Sequence, residues 1–163
     1  MHMADALVSP PVATGMAVAS LAVGAYSIFK IKKENKPENI PVMGVMGAFV
    51  FATQMVNFTI PGTGSSGHLC GGLLLSALIG PYGGFLSMMA ILLLQCLLFA
   101  DGGLMAYGCN VWNMAFYACF FGYFCIYKPI LGKNPSKKKI LIASILGSVL
   151  SLQLGAFSVT LET

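Results

Sequence analysis

Charged side chains are scarce in this 163-residue sequence. Aspartate, glutamate and lysine together make up 9% of it, arginine is absent, and hydrophobic residues make up 57%. A soluble domain needs roughly 25% charged residues to cover its surface. The scarcity therefore excludes an ordinary soluble domain, and with it a sizeable soluble catalytic or nucleotide-binding unit. A disordered chain is excluded by the apolar content. The composition predicts an integral membrane protein surrounded by a lipid bilayer.

The net charge of +4 comes from lysines alone, which form two clusters at residues 30–36 and 128–139. Both clusters lie between apolar runs, where positive residues mark the cytoplasmic side of a membrane protein. We interpret them as topology signals that can also contact anionic lipid headgroups. We expect no nucleic-acid partner.

Uncharged stretches give the number of helices. They cover residues 11–29, 39–100, 102–127 and 140–161, and one membrane span needs about 20 residues. Glycine and proline divide the second stretch at residues 60–67 and 80–84. The sequence thus predicts an all-α, polytopic membrane helix bundle with about six transmembrane helices. The third helix, over residues 69–79, is expected to be short or partly re-entrant.

The lysine clusters also predict the orientation. Both lie in the cytoplasm if the N-terminus is outside and the helices alternate. The loops at residues 61–68 and 101–103 then lie outside, and the loop at residues 80–84 lies inside. The first apolar run has its positive charge after it rather than before it, which is the reverse of a secretory signal. We therefore expect a retained first helix.

Polar residues of unusual type collect on the predicted outer side. Both histidines of the chain are there, and they suggest a site for a small polar ligand. The candidate residues are His2, His68, Asp5, Asp101, Asn57, Ser65, Ser66, Asn110 and Asn113.

His2 directly follows the terminal amine. The Met1 amine and the His2 amide nitrogen can close a five-membered chelate ring on a metal, and that amide with His2 Nδ1 can close a six-membered ring. His68 could supply a fourth nitrogen, and tetragonal nitrogen sites suit Ni(II) or Cu(II). From spacing alone we favour the alternative that His2 lies at a frayed terminus. For His68 the alternative is a helix-capping or core histidine.

Asp101 and Gln95 are polar residues next to or within apolar runs. A carboxylate near membrane depth is a functional candidate. It could instead cap a helix that begins near Leu104, and we favour the cap. Gln95 is expected to make an interhelical hydrogen bond.

Two stripes of small residues recur at intervals of four. One contains Gly44, Ala48 and Ala52, and the other contains Gly147, Ser151 and Gly155. Small side chains let helices approach closely. Each stripe packs either within the monomer or against another membrane subunit.

Several blocks together resemble the CbiM/NikM family, the substrate-binding membrane components of energy-coupling factor transporters for cobalt and nickel. The blocks are MHMADAL at residues 1–7, GAFVFATQ at 47–54, NFTIPGTGSSGHL at 57–69, Gly80-Pro81, Gln95, FADGG at 99–103 and GCN at 108–110.

The resemblance implies that the Met1 amine, the His2 amide and the rings of His2 and His68 hold Co²⁺ or Ni²⁺ as transported substrate. It implies that Ala48 and Ala52 meet a transmembrane T component. Two cytoplasmic ATPases would supply the energy, with small accessory membrane proteins as further partners. No organic cofactor is expected, and the location implied is the cytoplasmic membrane.

The chain departs from the family pattern in three places. Ala6 stands where members commonly have glycine or a similarly small residue, and residues 64–67 contain an extra serine. The chain also ends after the sixth predicted helix, where members usually continue through another. We therefore expect a single membrane domain over residues 1–163 that lacks the last helix usual in the family.

Two other functions remain as alternatives. One is a small secondary transporter or channel that uses Asp101. The other is a membrane protease that uses His68 and serines, but the sequence offers no convincing set of nucleophile, base and orienting group. We do not expect the chain itself to be an enzyme, and because it has no Walker motif we expect ATP hydrolysis in separate partner subunits.

Overall fold

The computed structural model of the chain describes residues 2–34, 39–62 and 65–163, with only the backbone of Ser65 and Ser66. A bundle of helices carries one small β-hairpin. In chain order the elements are α1 (Pro10–Glu34), α2 (Asn39–Gln54), β1 (Asn57–Ile60), β2 (Ser65–His68), α3 (Gly72–Ile79), α4 (Pro81–Phe99), α5 (Tyr107–Leu131) and α6 (Lys137–Glu162). A 3₁₀ turn at Asp5–Leu7 precedes them. Within α5, residues Trp112–Tyr127 form a π-helical segment.

Four helices in the described part of the chain are long and apolar enough to cross a membrane: α1, α4, α5 and α6. The apolar helix α2 has 16 residues. The predicted short third helix is present, and α3 has 8 residues. The all-helical bundle is thus confirmed. Six complete spans and an external N-terminus stay predictions.

The boundaries of α3 and α4 follow from Gly80 and Pro81. Gly80 has a positive φ of 81°, a conformation that costs glycine little. Pro81 then occupies the start of α4, where its fixed φ suits a helix and its missing N–H is not needed. This is why α4 begins at Pro81, so that residues 81–84, which the sequence predicts to lie in a loop, are helical instead.

The glycine-rich segment after α2 differs from the sequence-based prediction of a loop at residues 61–68. In the structure β1 and β2 form an antiparallel pair in which Asn57 faces His68 and Phe58 faces Gly67. A Cβ at Gly67 would lie 2.6 Å from the Phe58 ring, so glycine lets that ring cover the opposite strand. The hairpin places His68 at the end of β2.

The two small-residue stripes behave differently. Gly147, Ser151 and Gly155 are buried on α6, and the Ser151 hydroxyl lies 3.2 Å from the Tyr117 carbonyl of α5. This stripe therefore packs within the chain. The stripe of α2 does not, because Ala48 and Ala52 are exposed.

Helices α1 and α5 are in close contact at Gly108. A Cβ there would run into the backbone of Met16 and Ala17, and the Gly108 carbonyl accepts a hydrogen bond of 2.8 Å from Ser20 Oγ. In a bilayer, such close contacts and interhelical hydrogen bonds hold helices together, because lipid gives no hydrophobic drive for their association. Gly108 thus fixes how α5 sits against α1.

We predict that Gly108→Ala destabilises the bundle by about 1–3 kcal/mol, the usual cost of overpacking. The added methyl group would meet the backbone of α1, which cannot move aside as the end of a flexible side chain can. Thermal unfolding in detergent would measure this. Gly15→Ala in α1 is the matched control, since nothing lies within 4 Å of a Cβ there. Equal melting temperatures for the two variants would contradict the close-contact role.

Candidate metal site

The N-terminal segment is fixed to the start of α5 through the backbone of Met3. The Met3 N–H donates to Asn110 Oδ1 at 2.7 Å, and the Met3 carbonyl accepts from Asn110 Nδ2 at 3.3 Å. The same carbonyl accepts from the Gly103 N–H at 2.9 Å. His2 is consequently only 3% exposed. The interpretation of His2 as part of a frayed terminus is therefore wrong.

Asp5 holds the next part of this segment. Its Oδ1 accepts a hydrogen bond of 3.0 Å from the Ala106 N–H, directly before α5. A carboxylate at that position accepts a hydrogen bond from an N–H that has no partner within the helix, and it is stabilised by the positive end of the helix dipole. The sequence had favoured Asp101 as the cap of this helix, so that assignment is corrected.

Asp101 lies against His2 instead. Its Oδ1 is 3.3 Å from His2 Nδ1, and its Oδ2 accepts a hydrogen bond of 2.8 Å from Asn57 Nδ2. The left-handed conformation of Ala100, with a φ of 53°, ends α4 and turns the chain toward the site. Asp101 thereby joins the N-terminal segment to the hairpin.

The two imidazole rings are neighbours. The ring centroids of His2 and His68 are 4.8 Å apart, and the ring planes differ by 36°. Gly102 makes room for this arrangement, because a Cβ there would be 3.0 Å from His2 Cδ2. The structure thus brings together both histidines that the sequence singled out.

The protonated nitrogen of His68 follows from its hydrogen bond. Its Nδ1 lies 2.8 Å from the Leu69 carbonyl oxygen, which can only accept. The neutral ring therefore carries its proton on Nδ1 and has a lone pair on Nε2. Nε2 is buried and has no hydrogen-bond partner within residues 2–34, 39–62 and 65–163. Such a nitrogen can serve as a metal ligand.

Burial keeps both rings neutral. It lowers the pKa of His2 to about 4, against an opposing effect of Asp101. Burial also lowers the pKa of His68. Since a coordinating imidazole must be unprotonated, both rings are in the ligand state at neutral pH.

The other candidate residues differ in their placement. Asp101 adjoins His2, and Asn57 donates to Asp101 and faces His68 across the hairpin, whereas Asn110 and Asp5 hold the segment that carries His2. Met1 and the side chains of Ser65 and Ser66 lie outside the described residues. Asn113 Nδ2 donates to Glu162 Oε2 at 2.6 Å and so faces the end of α6.

The glutamines are the functional signal that the sequence revealed only in part. The predicted interhelical bond of Gln95 is confirmed, because its Nε2 donates to Gln54 Oε1 of α2 at 3.1 Å. Its second contact was not foreseen: Gln95 Oε1 lies 3.1 Å from His2 Nε2. Gln54 was noticed only within a family block, although a buried amide that ends an apolar helix is itself a signal.

No group of three or more histidine, cysteine, aspartate or glutamate side chains in the described part of the chain could hold a metal ion. The nitrogen ligands that converge are the two imidazoles. A four-coordinate nitrogen site here would therefore need backbone nitrogens as well.

Similar proteins are transport proteins. The chain matches the family model described as cobalt uptake substrate-specific transmembrane region over residues 2–163. It is 38% identical over its whole length to a putative fused nickel transport protein NikMN of Archaeoglobus fulgidus, of which it covers 53%. It is 36% identical to a probable fused nickel transport protein LarMN of Lactiplantibacillus plantarum, with 99% of this chain and 48% of that protein covered. The chain thus spans about half the length of these relatives.

Solved structures agree with this. A crystal structure of a truncated transition metal transporter superposes with a TM-score of 0.89 at 33% identity, covering 99% of this chain and 73% of that one. A cobalt transport protein CbiM of Acetoanaerobium sticklandii is 34% identical over 89% of this chain and 60% of its own length. The chain belongs to the CbiM family of substrate-specific transmembrane components.

Proposed function

We propose that this chain captures Co²⁺ or Ni²⁺ outside the cell as the substrate-binding component of an uptake system. The observation that carries the proposal is the pairing of the buried ring of His2 with the half-buried ring of His68, whose centroids are 4.8 Å apart. His2 precedes α1 in the sequence, whereas His68 follows α2. Their convergence needs the whole N-terminal segment to be fixed in place, which supports a binding role.

The proposed ligands are four nitrogens. Three come from the terminus: the Met1 amine, the deprotonated His2 amide and His2 Nδ1. The fourth is His68 Nε2, whose lone pair is directed into buried space without a described hydrogen-bond partner. Four nitrogens in a tetragonal arrangement suit late first-row ions. Names of relatives support both nickel and cobalt as substrates.

Asp101 is proposed as a charge partner of the ion rather than a ligand. A divalent ion in a buried site needs compensating negative charge. The deprotonated amide supplies part of it, and the Asp101 carboxylate at 3.3 Å from His2 Nδ1 supplies more. Because its second oxygen is engaged by Asn57, the carboxylate is held beside the ring.

We further propose that the exposed stripe of α2 meets the T component of an energy-coupling factor transporter. Gly44 and Ala48 line a groove of about 450 Å³ between α2 and α4, and Ala52 is exposed one turn further along. Two cytoplasmic ATPases would drive uptake, with small accessory membrane proteins as further partners. Relatives named as fused transport proteins support association with additional components.

The proposed orientation follows the lysines. Both clusters would lie in the cytoplasm, and the histidine pair would face the outside of the cytoplasmic membrane. His2 precedes α1, whereas the described lysines of the first cluster lie in the last turns of the same helix, which supports this orientation. The metal would then be captured outside and passed inward.

The first prediction of this proposal concerns the terminal amine. Acetylation of Met1 should abolish tight binding, because the amine can no longer coordinate the metal while both histidines remain. Calorimetry with Co²⁺ and Ni²⁺ on detergent-purified protein would measure it. A tag added after Thr163 is the control and should leave the affinity unchanged.

The pH dependence gives a second readout of the same ligands. A terminal amine has a pKa of about 7.7–8.0 and must lose its proton to coordinate, as must the amide. Affinity should therefore fall as the pH decreases below about 8, well above the pKa of about 4 of His2. Equal affinity for the native and acetylated termini would refute the chelate.

His68→Ala should lower metal affinity by roughly 100-fold or more. Loss of a residue that only hydrogen-bonds to a metal ligand costs about 10–100-fold, and loss of a ligand itself should cost more. The substitution removes one of four ligands at the end of a surface hairpin, so the bundle should still fold. Thr59→Ala, an exposed residue of the same hairpin, is the control and should bind normally. Undiminished binding by a folded His68→Ala protein would exclude His68 as a ligand.

Replacing Ala48 and Ala52 together by leucine should prevent assembly with the T component, because added bulk holds the two helices apart. Metal binding by the isolated chain should persist, since neither residue adjoins the histidines. Co-purification of the T component would be measured. Ala22→Leu with Ala25→Leu, both exposed on α1, is the matched control. Normal assembly of the α2 variant would indicate that this stripe faces lipid.

A further inference from the structure

A chain of buried hydrogen bonds leads from His2 into the bundle. His2 Nε2 lies 3.1 Å from Gln95 Oε1, and Gln95 Nε2 donates to Gln54 Oε1 at 3.1 Å. Gln54 Nε2 in turn lies 3.7 Å from Met88 Sδ. Gln54, Gln95 and Met88 are all completely buried. The four proposed metal ligands do not account for two amides and a thioether in this position.

The direction of this chain has a chemical consequence. A primary amide keeps nearly the same shape when its oxygen and nitrogen exchange places, so two amides in series can donate in either direction. The direction of donation is therefore set by a group at one end of the chain that can only accept or only donate. The Met88 thioether can only accept, so Gln54 turns its NH₂ toward Met88 and its oxygen toward Gln95. Gln95 then turns its oxygen toward His2.

Asp101 acts on the opposite nitrogen of the same ring. Its carboxylate also only accepts, and it lies 3.3 Å from His2 Nδ1. A proton on Nδ1 would suit Asp101 but would reverse the chain, and Gln54 would then place its oxygen against the Met88 sulfur. The neutral ring has one proton for two nitrogens, so the two ends of the network compete for the tautomer.

We propose that Met88, through Gln54 and Gln95, holds His2 in the Nε2-protonated tautomer and so keeps the Nδ1 lone pair available for the metal ion. These three residues are positioning residues that never contact the metal. A hydrogen bond from the distal N–H of a ligating histidine fixes its orientation and raises its basicity. The inference rests on the proposed function for the identity of the ligand that Nδ1 receives.

The tautomer can be measured without metal. In metal-free, detergent-solubilised protein labelled with ¹⁵N-histidine, the two histidines give separate imidazole signals, which His68→Gln assigns. We expect a protonated Nε2 and an unprotonated Nδ1 for His2. Met88→Leu conserves volume but removes the acceptor, so we expect a measurable Nδ1-protonated population and about 10-fold weaker Co²⁺ and Ni²⁺ binding.

A second substitution separates the network from a packing defect. Gln95→Glu places a group that only accepts next to His2 Nε2, so it should restore the Nε2-protonated tautomer in the Met88→Leu background. Met114→Leu is the matched control, because Met114 is equally buried in the same core. It should change neither the tautomer nor the affinity.

The outcomes are distinct. An Nδ1-protonated His2 in the unmodified protein, or an unchanged tautomer in Met88→Leu, would overturn the proposal, as would failure of Gln95→Glu to restore the tautomer in folded protein. If the unmodified protein bound neither Co²⁺ nor Ni²⁺, the proposed function would be wrong. The tautomer measurement on metal-free protein would still decide the role of Met88.

Discussion

The docking of the N-terminal segment on α5 is the interaction on which the candidate site depends. Three hydrogen bonds hold the Met3 backbone, two that it exchanges with the Asn110 side-chain amide and one that it accepts from the Gly103 N–H, and they fix the position of His2. Chain termini are mobile unless such contacts hold them. Because these bonds engage backbone atoms, they fix the position of the main chain, which a chelate built partly from main-chain nitrogens requires.

The helices beneath this segment provide the rigid support. Gly108 lets α5 contact the backbone of α1. Asn110, which holds Met3, follows Gly108 two positions later in the same helix. The same α5 packs through Tyr117 on Ser151 of α6. Helices associate in lipid through close packing and interhelical hydrogen bonds. The small residues that hold the bundle together therefore also determine where Asn110 binds the Met3 backbone.

The surroundings of His2 combine opposite electrostatic demands. Burial excludes the protonated ring and lowers the pKa of His2 to about 4, although an adjacent carboxylate would favour protonation. The neutral ring then lies between two acceptors, Asp101 and Gln95. The environment of His2 fits the proposed divalent cation, because the Asp101 carboxylate already lies 3.3 Å from His2 Nδ1.

The sequence by itself determined the features that depend on composition and on neighbouring residues. Scarce charge and long uncharged stretches predicted the apolar helices, and the adjacency of Met1 and His2 made the terminal chelate possible. Glycines marked the segment before His68, but their local flexibility fits both an irregular loop and the hairpin that forms.

Only the tertiary structure decided which distant residues meet. It placed His2 beside His68, gave the cap of α5 to Asp5, set Asp101 against His2 and joined Gln54 to Gln95. These contacts join residues on different elements, and their partners are fixed by packing in three dimensions rather than by periodicity along one helix. A buried polar group must find a partner, but the sequence alone does not say which partner the fold brings within reach.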